Sequence, residues 1–200
     1  MSDNRIAHGR QRRNGFTLLE MLTVIAIIMI LATMAIISIN GALPAQQATA
    51  GVDAAVAVFR QGRDLAIAQR RTYQVTSPGP NQLRLHRCED VACTAQTDLP
   101  AITLPAPAQF QLYTSIPDTP DGFGGCSSGL CFNSAVQQWF SDGTFVDAAG
   151  VPQNATVFIA VPGKSLSDPT YMSTQRAFTI LGTTGRIRAY KWTGGQWVLQ

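Results

Sequence analysis

From Met21 to Asn40 the chain reads MLTVIAIIMILATMAIISIN, with no charged residue. A helix rises roughly 1.5 Å per residue, so about 20 such residues cross a hydrocarbon core of about 30 Å. A helix that is apolar on every side has no face to give to water. The run exceeds the apolar region of about 7 to 15 residues in a cleaved secretory signal. Arg5, Arg10, Arg12 and Arg13 precede it against one acid, Asp3, a bias that keeps the N-terminus cytoplasmic and sends the remainder across the membrane. These leader residues account for the whole formal excess of +3, so the global charge carries no nucleic-acid signal. Only 14% of residues are charged, against about a quarter in ordinary soluble domains.

The start of the run is unusual. Glu20 places a carboxylate there, and acids near a bilayer centre cost about 2.5–3.5 kcal/mol. Either Glu20 stays at the headgroups or it needs a cationic partner. A cut between Gly15 and Phe16 would create an ammonium one helical turn before Glu20, or on a neighbouring subunit. The segment Arg13-Asn14-Gly15-Phe16-Thr17-Leu18-Leu19-Glu20, followed by an unbroken apolar helix, resembles the class III signal of type IV pilins and type II secretion pseudopilins. Over residues 10 to 40 the resemblance implies that prepilin peptidase cuts after Gly15 and N-methylates Phe16. It also implies that Glu20 registers each subunit against the terminal amine of another in a filament.

Pro44 interrupts the helical pattern, since proline removes a backbone donor. Val52, Ala55, Val56 and Phe59 then resume it, with Asp53, Arg60, Arg63, Asp64, Arg70 and Arg71 at polar positions. The expected organisation is a leader, 1–15, a transmembrane half-helix, 16–40, an amphipathic half-helix, 41–72, and a β-rich head outside the cytoplasm, 73–200. Residues 73–76 and 83–88 read as a hairpin. Further strands are expected at 110–113, 131–140, 156–161, 176–181, 186–192 and 197–199, with 99–125 mostly loop. One helix before such a series predicts an α+β fold with an antiparallel sheet on the helix, and the resemblance implies that this is the type IV pilin fold. Residues 59–71 resemble the helix of FimT/GspH-type minor pilins, and Phe140-Ser141-Asp142-Gly143 resembles the aromatic-x-Asp-Gly turn of that head.

Four cysteines form equally spaced pairs, Cys88 with Cys93 and Cys126 with Cys131. An extracytoplasmic address favours disulfides, and two local bridges are the expected pairing. Three connectivities are open in principle, and four-residue gaps are a weak metal signal. His86 is the histidine left after cleavage. No nucleophile motif accompanies it and no phosphate-binding glycine loop occurs, so no catalytic constellation, cofactor or metal is expected.

Residues 180–192 read as strand, tight turn, strand. Alternation puts Arg186, Arg188, Tyr190 and Trp192 on one face, with Ile187 and Ala189 on the other. Guanidiniums beside aromatic rings suit phosphates and bases; an edge strand blunted by arginine looks the same. No acid follows Asp168, so the hairpin is expected to lack acidic neighbours. Gly185-Arg186-Ile187-Arg188 resembles the C-terminal G-R-x-R of FimT-type minor pilins, a subgroup implicated in DNA uptake. That implies Arg186 and Arg188 as DNA contacts; Lys191 is added for its charge and proximity. Arg63, on a helix face expected to meet other pilins, is expected to contribute little. Two roles are consistent with the sequence. One is a type IV minor pilin near the filament tip that binds DNA. The other is a GspH-like minor pseudopilin of type II secretion without DNA contact. Both share the inner membrane, prepilin peptidase and other major and minor pilins as partners.

Overall fold

The computed structural model describes residues 16–90, 92–123, 128–132 and 136–200, the side chains of 35–41 excepted. The chain divides into two compact units, Met1–Gly41 and Ala42–Gln200. Helix α1, Leu18–Gln69, begins in the first and ends in the second.

In the first unit Thr17 caps α1: its Oγ1 accepts the Glu20 backbone N–H at 3.2 Å, as Ser and Thr do at helix starts. Thr23 and Thr33 donate their hydroxyls to the helix carbonyls of Glu20 and Ile30, at 2.9 and 2.8 Å. Their polar groups are thus satisfied without water. Every side chain from Phe16 to Met34 is exposed, including Leu18 at 84% and Ile28 at 58%. Among the described residues no helix is long and apolar enough to cross a membrane; the described side chains of the apolar run stop at Met34, short of its end at Asn40.

In the second unit α1 continues through Pro44 rather than stopping at it. The helix ends at Gln69, before the expected 72. Arg70 takes φ 53 and the Arg71 N–H reaches back to Ala66 O at 3.2 Å, the left-handed closure that satisfies a last carbonyl. Ala48, Val52, Ala55, Phe59 and Ala66 are fully buried; their steps of three, four and seven form the helix face that packs on the sheets.

The strands form two antiparallel sheets rather than one. The first is built from β1 (Tyr73–Gly79), β2 (Gln82–Cys88), β3 (Gln96–Asp98), β4 (Ile102–Thr103), β7 (Gln137–Trp139) and β8 (Phe145–Val146). Its order is β3-β2-β1-β7-β8, with β4 also on β2. The second contains β5 (Gln109–Phe110), β6 (Leu130–Phe132), β9 (Ala155–Ala160), β10 (Arg176–Leu181), β11 (Arg186–Trp192) and β12 (Trp197–Leu199). Its order is β12-β11-β10-β9-β5, with β6 also on β9. A short helix α2, Pro169–Met172, is capped by the Asp168 side chain.

The single strand expected over 131–140 is two strands in different sheets: β6 pairs β9, whereas β7 pairs β1. Gln137, Gln138 and Trp139 are all buried, so period-two alternation fails there. Phe59 joins the two sheets, its ring 6.1 Å from Phe145 on β8 and 5.1 Å from Phe178 on β10. Trp139 packs against Phe145 in a tilted arrangement, ring centres 4.7 Å apart. Cys88 and Cys93 form a disulfide. Cys131 is also disulfide-bonded, and its expected partner, Cys126, lies outside the described residues.

Candidate functional site: a basic groove between helix and hairpin

Two tight turns meet beside the second half of α1. In the β10–β11 turn, Gly185 donates its N–H to Leu181 O at 2.8 Å with φ +63. In the Phe140–Gly143 turn, Gly143 donates to Phe140 O at 2.9 Å with φ +83. The Asp142 carboxylate holds that second turn by accepting the Thr144 N–H and hydroxyl at 2.9 and 2.6 Å. L-residues enter this left-handed region at a cost, glycine freely. The turns touch: a methyl at position 185 would lie 2.2 Å from Gly143 O. Arg63 clasps both, donating Nε to Gly143 O at 3.3 Å and Nη2 to Thr184 O at 3.1 Å. The aromatic-x-Asp-Gly and G-R-x-R segments, far apart in sequence, therefore form one structure around a helix arginine.

Above this clasp opens a groove of about 580 Å³, lined by Arg60, Arg63, Asp64 and Arg186 with Leu181 and Ile187 among its apolar residues. Arg60, Asp64 and Arg186 are exposed. Among the described residues neither Arg60 nor Arg186 has an ion pair. Three guanidiniums converge against one carboxylate, so the groove is set up for an anion.

The three cations expected to act together are not gathered in one place. Arg188 is ion-paired with Asp121 at 3.0 Å. That acid also accepts the Thr179 hydroxyl at 2.6 Å and the Tyr190 hydroxyl at 2.9 Å. Burial pushes the Asp121 carboxyl pKa up, but hydrogen bonds from Thr179 and Tyr190 and the Arg188 charge outweigh it, holding it below its ordinary value. The expectation of a hairpin without acidic neighbours is thus corrected: a loop from 99–125, remote in sequence, brings Asp121 onto it. Lys191 falls on the opposite side of β11 by strand alternation and lines a separate groove of about 350 Å³ with Gln46, Thr49, Asp53 and Arg176. Arg176 is buried and donates to Thr49 Oγ1 and Ala45 O; burial lowers its pKa. Tyr190 and Trp192, at 4% and 7% exposed, are too enclosed for bases to stack on. Arg63, expected to be peripheral, stands at the centre of the groove. Its spacing from Arg60 on one helix face is the sequence signal that could have found it; nothing in the sequence announces Asp121.

On the first sheet Thr76 Oγ1 lies 2.7 Å from His86 Nε2, and His86 Nδ1 2.7 Å from Asp98 Oδ1. Arg84 holds the other Asp98 oxygen at 3.1 Å. Hydrogen bonding from His86 lowers the Asp98 pKa. Register explains the line: His86 is paired with Asp98 across β2–β3 and Thr76 with Arg84 across β1–β2, a polar ladder of cross-strand neighbours. Among the described residues no group of acids, histidines and cysteines has metal-site geometry. The junction residue Gly15 lies outside the described residues. Phe16 is 77% exposed, and the Glu20 carboxylate makes no ion pair among the described residues.

Residues 10–36 match the family described as the prokaryotic N-terminal methylation motif. The match supports a type IV pilin-like or pseudopilin-like N-terminus, which implies processing by prepilin peptidase and assembly with other pilins. Proteins bearing this motif are structural subunits rather than enzymes. No curated protein and no solved structure matches the chain.

Proposed function

We propose that this chain is a minor pilin of a type IV pilus. It is held in the inner membrane through residues 16–40 before assembly and placed near the filament tip, where its head binds DNA without sequence preference for uptake during transformation. The observation that carries the filament role is the methylation motif at residues 10–36, leading into a helix whose side chains are all exposed from Leu18 to Met34. Such a surface has to be covered by lipid or by other subunits. Peptidase cleavage after Gly15 leaves N-methyl-Phe16 as the mature terminus. Mass spectrometry of membrane-extracted protein is expected to show loss of residues 1–15 and gain of one methyl group; an intact Met1 terminus in cells with active prepilin peptidase refutes the assignment.

The DNA role rests on Arg186, which the groove leaves open. Arg188 is engaged by Asp121 and Lys191 lines another groove, and this favours the second reading, a minor pseudopilin of type II secretion with no DNA contact. Fluorescence anisotropy of a labelled duplex with the full chain in detergent micelles separates the two. Binding that weakens steeply with salt supports the pilin, because phosphate contacts release counterions. No binding at low salt leaves the pseudopilin.

A further inference from the structure

The groove between α1 and the β10–β11 turn says more about how DNA would be held. Arg60 and Arg186 reach it from different elements, one from the helix and one from the hairpin, and neither has an ion pair among the described residues. Arg63 between them already spends Nε and Nη2 on the two turns, which fixes the floor of the groove. A guanidinium presents a fork of donors that fits phosphate oxygens, and a groove of about 580 Å³ admits a phosphodiester with its sugars. Among the described residues no aromatic side chain lines it, so they offer no platform for base stacking. Leu181 and Ile187 on its walls suit the apolar side of a sugar.

We infer that Arg60 and Arg186 clamp a backbone phosphate of DNA in this groove, with Arg63 as the positioning residue, and that Arg188 and Lys191 take no part. This rests on the DNA reading proposed above. Asp64 on the same rim opposes the ligand and keeps the contact weak. The contact reads phosphates rather than bases, so affinity follows backbone charge and not sequence.

The test uses the full chain in detergent micelles, a labelled duplex and anisotropy titrations at several salt concentrations. In Arg60→Gln and in Arg186→Gln, affinity at low salt is expected to fall several-fold, and in the double variant the slope of log affinity against log salt is expected to shrink by about 0.9, the one phosphate contact the two arginines share. Arg188→Gln and Lys191→Gln are expected to leave it unchanged, and Asp64→Asn to tighten binding several-fold. Melting curves of each variant control for folding. If the wild type binds and Arg60→Gln binds with the same affinity and slope, the clamp is wrong while the DNA reading stands. A reduced slope in Arg188→Gln or Lys191→Gln moves the contact away from the groove and also overturns the clamp. If the wild type binds no DNA at low salt, both the reading and the clamp fall.

Discussion

Asp121 illustrates how one residue redistributes the charge of a motif. Its carboxylate has only 10% of its side-chain surface exposed and accepts from Thr179, Tyr190 and Arg188, so the ionised form is the one the fold stabilises. Because its folded pKa is depressed, this stabilisation is present above the unfolded carboxyl pKa of about 3.9 and is lost as pH falls through the folded value. Hydrogen bonds to a charged group contribute about 1.5–3 kcal/mol. Asp121→Asn is therefore expected to lower stability by about 2 kcal/mol from pH 5 to pH 8, with the gap to wild type closing only below about pH 4. Thermal melts across that range decide it. An unchanged melting temperature at pH 7 would show that the ionised carboxylate is not the latch.

Among elements, the contact between the Phe140–Gly143 and Leu181–Gly185 turns positions the groove. Gly185→Ala forces a left-handed backbone, at about 1–2 kcal/mol, and drives a methyl to within 2.2 Å of Gly143 O; the total is expected to exceed about 2 kcal/mol. Gly194 is the control: it too has positive φ, but a methyl there meets nothing within 4 Å, so Gly194→Ala is expected to cost only the backbone part. Urea unfolding of both variants in micelles compares them, and equal losses would mean the turn-to-turn contact contributes nothing. The turns show what the sequence can and cannot reveal. The strands β10, β11 and β12 have the bounds their β-branched and aromatic residues predict, because local alternation suffices for a hairpin. Residues 131–140 read as one strand, since nothing local tells Leu130–Phe132 that it pairs β9 while Gln137–Trp139 pairs β1. The short strands β3, β4 and β8 have too few residues to show a period. The G-R-x-R motif singles out Arg186 in the sequence, but Arg60 and Arg63 line a groove with it only because Arg63 clasps Gly143 and Thr184.

For the whole molecule, the proposed assembly turns on the N-terminal segment, whose residues 10–36 match the methylation motif. The Glu20 carboxylate lacks an ion pair among the described residues, although the Glu20 backbone is already capped by Thr17. Capping explains the helix start without using the side chain, so under the proposed function the charge is available to another subunit. Between apolar helices in a filament, the N-methylated amine of Phe16 on one subunit and Glu20 of the next would be desolvated together. Each would then be costly to leave alone: breaking a buried pair by removing one partner costs about 3–5 kcal/mol. Membrane insertion has no such requirement and gains from losing a charge. Glu20→Ala is therefore expected to insert and be processed as wild type, while its recovery in sheared filaments falls by roughly tenfold or more. Glu20→Asp, which keeps the charge on a shorter stem, is expected to recover part of it. Immunoblots of membrane and filament fractions from cells expressing each variant make the comparison, and wild-type amounts of Glu20→Ala in filaments would show that subunits are registered by helix packing and not by this ion pair.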